Sequence, residues 1–534
     1  MRIEDKYFRT LSREELWQRY CGFLDLSADR FAEIQQTLLM EEIELVADSV
    51  LGKKIMKGKR PKTVDEFRSI VPLTSHDDYE PYLSNQEDDA LAAKPAFWSH
   101  SSGTSGHFKW VPNSRKVLDN AVRYYLACCI LSSCKKKGEV NIRPGFRFLT
   151  VIPPQPYTSG YLIPGFLERF SARLLPPDEE AEGLNLGQRM QKGFQMGLKE
   201  GVGVIGATAS VLVRMGEAVA QQTQSMKLSM SMLKPKLLWR LGRAWIRSKI
   251  EKRGILPKDL WQPKGLIVSG VDTALYKDAV AHYWGCIPFE LYTGTEGLVY
   301  AVQDWNKKDL VFVPDMVFLE FIPYEDVLKL QEEKTYKPST LLLNELEEGG
   351  LYEVVITQFY GMPLMRYRIK DVIKVVAKRD VEAGIDLPKI AFQRRTDAVI
   401  DLAGLCRLDE KTLWQAINNT GIKDSGWMAC KEHDGQQALV RIYLELDEQK
   451  EPDEIAIMID NQLKVVDTDY KDIDTYLGKQ PIRVTVLSPG TFQRYTEEKM
   501  EQGADLALLK PAHVNPPNTT VHRLLDLSKE RGEV

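Results

Sequence analysis

Cysteine is scarce and unpatterned in this chain of 534 residues: seven are present (Cys21, Cys128, Cys129, Cys134, Cys286, Cys406, Cys430), an odd number with no C-x-x-C spacing. That argues against a disulfide framework and a zinc ribbon, and points to reduced thiols as in a cytosolic protein. Histidine is equally sparse, seven in all, none paired at i, i+4 or set in H-E-x-x-H, so a histidine-built metal site is not expected. An excess of one charge is lacking too. The 71 Lys and Arg face 75 Asp and Glu for a formal net charge of −4, which gives no global attraction to nucleic acid. Any anionic ligand must be held locally. Long hydrophobic runs are also missing. The N-terminus, MRIEDKYFRTLSREEL, carries charges where an export signal needs an apolar stretch, and the uncharged run from Gly201 to Val213 is short and broken by glycine. The expectation is a cytoplasmic protein with no stable membrane insertion and no nucleic-acid partner. Internal repeats and low-complexity linkers are absent as well.

The composition, 43% hydrophobic and 27% charged, is that of a globular protein with a sizeable core, and the length favours two or more packed domains. The first segment reads as helices: Ser12 and Glu15 form an S-x-x-E cap, and Phe31, Ile34, Leu38 and Leu45 recur at helical spacing. From Phe146 the pattern changes. Apolar runs at Phe148 to Ile152, Val202 to Ile205, Gly265 to Val268 and Pro288 to Leu291 alternate with helix-length stretches, which suggests a largely parallel sheet. The clearest unit is β-α-β, with a run ending at Ser269-Gly270, a helix over Thr273 to Trp284 and a second run over Pro288 to Tyr292. Ligands in such sheets bind beyond the carboxyl ends of strands, here Ser269-Gly270-Val271 and Thr293-Gly294-Thr295-Glu296.

Further on, Leu341 to Leu346 and Leu351 to Thr357 read as strands joined by a turn at Glu347-Glu348-Gly349-Gly350, and Met365 to Val376 as another β segment. After Gly404 the pattern restarts: a helix (Asp409 to Asn418), a hairpin around Asp434-Gly435, a helix (Glu454 to Val465) and a strand (Ile482 to Leu487) fit a small α+β domain. Between Arg243 and Arg253 a basic, tryptophan-containing stretch follows methionines at 226, 230 and 232. A membrane-surface helix is one reading. A solvated face whose Trp239 and Trp245 pack inward is the preferred one.

Three strings carry chemistry. Ser101-Ser102-Gly103-Thr104-Ser105-Gly106 with Lys109 combines glycines that turn backbone N–H groups toward one point, hydroxyl donors and a cation, which suits a polyphosphate. It is not a Walker A loop, and a serine-rich flexible turn is its bland alternative. In Tyr292-Thr293-Gly294-Thr295-Glu296-Gly297 the tyrosine can cover a flat base, a threonine can reach a phosphoryl oxygen, and Glu296 is a hard ligand of the type Mg²⁺ takes. Alone, it would mean only a turn. Arg366-Tyr367-Arg368-Ile369-Lys370-Asp371 reads as a strand with Arg366, Arg368 and Lys370 on one face and Asp371 able to accept from ribose hydroxyls, or else as an exposed strand with cross-strand charge pairs.

Together these strings resemble the acyl-adenylate-forming superfamily, and within it the auxin-responsive acyl-acid amido synthetase family named after Gretchen Hagen. Val71-Pro72-Leu73-Thr74 leading to Asp78-Tyr79-Glu80-Pro81-Tyr82 resembles that family's approach to the phosphate loop, and Pro489-Gly490-Thr491-Phe492 and Leu509-Lys510-Pro511 resemble its closing elements. The likeness spans most of the chain. It implies an α/β fold: a large adenylation domain over residues 1–396 with mixed, mostly parallel sheets, and a smaller C-terminal α+β lid domain over 397–534. It implies that Ser101 to Gly106 and Lys109 hold the leaving pyrophosphate of ATP, that Thr295 and Glu296 address the α-phosphate and Mg²⁺, that Tyr292 and Gly270-Val271 border adenine, and that Asp371 meets the ribose. Arg395 and Asp397 resemble the superfamily's hinge signature, with its usual lysine replaced by Asp401. Lys510 is similar to the lysine that bridges carboxylate and phosphate, its alternative being an exposed tail lysine.

The implied reaction is attack of a small carboxylic acid on the α-phosphorus of ATP and then transfer of the acyl group to an amine, an amino acid being the expected type. Catalysis would come mainly from in-line positioning and charge neutralisation by Lys109, Lys510 and Glu296 through Mg²⁺, with Thr104 and Thr295 orienting oxygens. A lid turning about 395–404 would separate the half-reactions. Transfer to coenzyme A and a catalytically silent protein on the same fold are the rival readings.

Overall fold

The computed structural model describes residues 1–101, 109–151, 155–184, 186–222, 235–270, 273–333, 335–396, 399–402, 406–435, 437–446, 450–473, 477, 480–501 and 513–529. The chain divides into two compact units, the first comprising Met1–Ser101 and Lys109–Thr396, with the second running over Asp397–Val534.

In the first unit a hairpin of β1 (Phe97–Ser101) and β2 (Lys109–Asn113) precedes one eleven-stranded sheet. Its strands are β3 (Phe146–Val151), β4 (Ala172–Leu175), β5 (Val204–Thr208), β6 (Gly265–Ser269), β7 (Phe289–Tyr292), β8 (Ala301–Gln303), β9 (Leu310–Phe312), β10 (Val317–Pro323), β11 (Leu351–Gln358), β12 (Tyr367–Ala377) and β13 (Lys389–Arg395). They run in the order β10-β11-β12-β13-β9-β8-β7-β6-β5-β3-β4. Pairing is parallel from β4 through β3, β5 and β6 to β7, and antiparallel from β7 through to β10. The sheet is therefore mixed, with the change of sense at β7. The helix Thr273–Trp284 joins β6 to β7 with the predicted boundaries. Helix Arg115–Ser133 has fifteen buried residues and lies against this sheet, as a helix apolar on nearly all sides must.

Capping chemistry starts the N-terminal helices. Ser12 Oγ accepts from the Glu15 N–H while the Glu15 carboxylate accepts from the Ser12 N–H, at 3.2 and 2.8 Å. The apolar stripe of the helix Ala28–Val46 differs from the predicted one. Phe31, Gln35, Leu39, Glu42, Ile43 and Val46 face inward, whereas Leu45 is 57% exposed. Polar Gln35 is on the inner side because it bonds backbone: its amide donates to Val317 O at 2.8 Å and accepts from Leu319 N at 2.9 Å.

Two further expectations are corrected. Leu341 to Leu346 is not a strand: Leu341 makes only an isolated bridge to Phe321, and Leu343–Glu345 forms a 3₁₀ turn. Both edges of β11 are already taken by β10 and β12. Nor do Trp239 and Trp245 pack inward; in the helix Pro235–Ile250 they are 69% and 57% exposed. The methionines before that helix lie outside the described residues.

The second unit contains a hairpin of β14 (Val399–Leu402) and β15 (Cys406–Asp409), and a sheet of β16 (Asp424–Asp434), β17 (Gln437–Leu446) and β18 (Ile482–Leu487). β16 and β17 pair antiparallel, β17 and β18 parallel. Helices Glu410–Asn419 and Pro452–Val466 bury Leu413, Ile417, Ile455, Ile459 and Leu463 in its core. Asp409 caps the first of them, accepting from Thr412 N at 2.8 Å.

Candidate active site

The parallel half of the sheet ends at Gly270 after β6 and at Thr293 after β7. Gly270 has φ +125°, a conformation that favours glycine, and open space where a Cβ would stand. The 293–298 loop folds back on itself, with Leu298 N donating to Gly294 O (2.8 Å) and Tyr300 N to Tyr292 O (3.0 Å). Its glycines are needed because the Tyr300 ring lies against it. A Cβ at Gly294 would come within 2.7 Å of that ring, and one at Gly297 within 2.4 Å. Thr293 is exposed, while Thr295 and Glu296 are half-buried at the loop tip. The Gln358 amide fixes the Glu296 carbonyl at 2.8 Å.

Asp371, on β12, sits opposite Arg395 on β13. One carboxylate oxygen accepts from the Tyr292 hydroxyl and the other from the Arg395 guanidinium, both at 2.7 Å. The Tyr292 ring is only 7% exposed and packs beside Tyr300 and Phe392. Burial, followed by the Asp371 charge, pushes its hydroxyl well above the usual phenol range, so it stays a donor. Tyr300 joins the two loops. Its buried hydroxyl has no hydrogen-bond partner among the described residues, and Glu296, Asp371 and Arg395 all act on it electrostatically.

Lys109 opens β2, directly opposite Ser101 at the end of β1, so the 102–108 segment connects the two strands of a hairpin. Its charge and that of Glu296 both act on the imidazole of His76, the first disfavouring and the second favouring protonation. Burial is the larger influence and holds the His76 pKa below its ordinary value; Nε2 lies 2.8 Å from a Glu80 carboxylate oxygen. The segment around His76 is stitched to the Arg366–Asp371 string: Thr74 N donates to Arg366 O (2.9 Å) and Arg368 N to Thr74 O (3.0 Å).

Glu296 thus acts both on His76, as Lys109 does, and on Tyr300, as Asp371 and Arg395 do, while Tyr292 and Arg395 bond Asp371 directly. Ser102, Gly103, Thr104, Ser105, Gly106, Val271, Asp397, Gly404 and Lys510 lie outside the described residues. The alternating basic face is corrected. From Tyr367 to Lys370 buried and half-buried residues alternate as read, but Arg366, at φ +45°, is buried and leaves that face, and after Lys370, at φ +67°, three buried residues follow in a row. Arg366 is buried and clamps Glu320 (2.9 and 3.1 Å), and Arg368 clamps Glu353 (2.6 and 2.9 Å). Asp401, in β14, pairs with Arg407 at 3.1 Å. Sequence reasoning missed His76, Tyr300 and Gln358 as contributors. The signals were their nearness in sequence to Asp78-Tyr79 and to Gly297, and, for Gln358, none.

Comparison with known proteins identifies the class. The fold is that of adenylate-forming ligases. A 2-hydroxyisobutyryl-CoA ligase structure aligns over 90% of both chains (TM-score 0.58, 14% identity), and a GH3.15 acyl acid amido synthetase structure over 97% of both (TM-score 0.54, 18% identity). The family models for the GH3 N-terminal, central and C-terminal domains match residues 21–165, 310–395 and 415–516, and the chain belongs to the GH3 family. It is 23% identical to a jasmonoyl–L-amino acid synthetase of Oryza sativa subsp. japonica, over 92% of this chain and 94% of that one. It is 24% identical to a putative indole-3-acetic acid-amido synthetase of Arabidopsis thaliana, over 94% and 95%. Among the described residues no helix is long and apolar enough to cross a membrane, and no cluster of three or more His, Cys, Asp or Glu could hold a metal.

Proposed function

We propose that this chain is an ATP-dependent acyl-acid amido synthetase: it activates a small carboxylic acid as its adenylate and passes the acyl group to an amine, an amino acid being the expected acceptor. What supports this reading is that Glu296 acts on His76 as Lys109 does and on Tyr300 as Asp371 does, three separate segments, in a chain of the GH3 family. In the first half-reaction a carboxylate oxygen of the acid bonds to the α-phosphorus as the α–β bridging P–O bond breaks and pyrophosphate leaves. In the second, the amine nitrogen bonds to the acyl carbon, its proton is lost, and AMP departs with the C–O electron pair.

The roles follow from charge and reach. Lys109 and the backbone and hydroxyls of Ser101 to Gly106 take the pyrophosphate. Thr295 addresses the α-phosphate, Asp371 the ribose, and Gly270, Val271 and Tyr292 border the base. Arg395 and Tyr292 hold the Asp371 carboxylate still, each donating to one of its oxygens at 2.7 Å. Lys510 is assigned the bridge between carboxylate and phosphate. A Mg²⁺ ion on ATP suits the donor set: it takes one or two protein carboxylates and completes its shell with phosphates and water, and Glu296 is a half-buried carboxylate at a loop tip.

Exchange of labelled pyrophosphate into ATP, screened across aromatic, jasmonate-like and fatty acids, tests the first half-reaction. Glu296→Ala is expected to abolish exchange while thermal unfolding is unchanged; retained exchange removes Glu296 from the metal role. Amide formation in an amino-acid screen supports the amido synthetase, whereas AMP release dependent on coenzyme A, with no amide formed, overturns it.

A further inference from the structure

The helix Pro235–Ile250 is built inside out. It buries Ala244 but leaves Leu238, Trp239, Trp245, Ile246 and Ile250 between 42% and 75% exposed. At 100° per residue these five share one continuous face, with Pro235, Gly242 and Lys249 between them. An amphipathic helix whose apolar side looks away from its own core marks a contact surface.

Charge indicates what the surface meets. Lys236, Arg240, Arg243, Arg247 and Lys249 are the charged residues of this helix, which has no acidic residue, in a chain whose formal net charge is −4. The Arg243 guanidinium lies 5.2 Å over the Trp239 ring and the Lys249 ammonium 5.8 Å over that of Trp245, which places one cation at the edge of the apolar face and one within it. Arg240 donates to the carbonyls of Gly197 and Leu198, and Arg243 to that of Asp259, which leaves their charges uncancelled. Among the described residues the one cation of this helix that carboxylates reach is Arg247, from Glu251 at 3.0 Å and Asp259 at 3.6 Å, and Arg253 also binds both acids. A second copy of this face would set like charges against one another. An anionic surface with an apolar layer beneath it satisfies both halves of the pattern.

We propose that this helix docks the protein peripherally on an anionic lipid bilayer, lying in the headgroup plane with Trp239, Trp245 and Ile246 in the acyl boundary and Arg243, Arg247 and Lys249 among the phosphates. Nothing crosses the bilayer. The docking is independent of the enzymatic reading.

Flotation of the full chain with vesicles tests it, comparing phosphatidylcholine alone with phosphatidylcholine containing about one-third phosphatidylserine. Binding is expected on the anionic vesicles at roughly tenfold or more above the neutral ones, falling as salt is raised. Arg243→Gln with Lys249→Gln is expected to lower it about 25-fold, at roughly fivefold per cation. Trp239→Ser with Trp245→Ser and Ile246→Ser is expected to lower it by at least about tenfold. Both variants alter exposed side chains, and an unchanged thermal transition verifies that they fold. Absent binding, equal binding to both vesicle types, or unchanged binding by both variants overturns the proposal. So does a concentration-dependent dimer in sedimentation that the Trp/Ile variant abolishes, which would assign the face to a second copy.

Discussion

Replacing Arg366 with methionine separates two accounts of the Arg366–Asp371 string. Read as a ligand-facing strand, Arg366 would touch nucleotide. In the structure every guanidinium N–H already has an acceptor: Nε faces both Glu320 oxygens at 3.1 Å, NH1 donates to Arg68 O and Val71 O at 2.6 Å each, and NH2 donates to Glu320 at 2.9 Å and Thr340 Oγ1 at 3.0 Å. Arg366 is 5% exposed and Glu320 1%. Removing the arginine leaves the buried Glu320 carboxylate with the more distant Arg68 Nε, at 3.8 Å, for a counter-charge, which costs up to about 3–5 kcal/mol, and takes a donor from two carbonyls besides. Lysine cannot replace the planar five-donor fork, so Arg366→Lys is expected to fail nearly as badly. Arg366→Met with Glu320→Leu removes the stranded charge and is expected to recover a substantial part of the loss, giving a coupling of at least about 2 kcal/mol in the double-mutant cycle. Urea unfolding of the four proteins, followed by tryptophan fluorescence, measures this. If Arg366→Met unfolds at the wild-type midpoint yet loses pyrophosphate exchange, the reasoning is refuted and Arg366 is a ligand contact.

Burial raises the pKa of Glu42, whose carboxylate accepts from Gly361 N–H at 2.7 Å, to about 8. The folded state then holds a proton that the unfolded chain releases near pH 4.3, so this contribution to stability is present below about pH 4 and is lost as pH rises toward 8. Glu42→Gln is expected to flatten the decline in denaturation midpoint between about pH 5 and 8; an unchanged slope would count against it. Gly297→Ala would set a methyl 2.4 Å from the Tyr300 ring and 2.8 Å from Val317, both 1% exposed. A destabilisation of about 1–3 kcal/mol is expected, with reduced exchange because the neighbouring Glu296 is displaced; a neutral effect on both would show that the loop is free to move.

The sequence alone determined what depends on near neighbours. The Ser12–Glu15 capping box, the Thr273–Trp284 crossover helix and the Ile482–Leu487 strand are local patterns of caps, periodicity and turn residues, and they stand in the structure as read. The chemical character of the Ser101–Gly106 and Tyr292–Gly297 strings is also local, legible in glycine, hydroxyl and carboxylate spacing. Tertiary structure decided the rest. Nothing local says that β9 pairs with β13, that Thr74 bonds the backbone beside Arg368, or that β11 has no edge left for Leu341. Positive φ at Arg366 and Lys370 carries no glycine to announce it, so the face drawn from the sequence holds for Arg368 and Lys370 but not for Arg366, which is buried. Periodicity finds an apolar stripe on the helices Ala28–Val46 and Pro235–Ile250, but which side is covered depends on elements far away in the chain. How Lys109, Glu296 and Asp371 stand to one another is likewise a long-range question: Glu296 acts on His76 as Lys109 does, and on Tyr300 as Asp371 does, and no local pattern announces either.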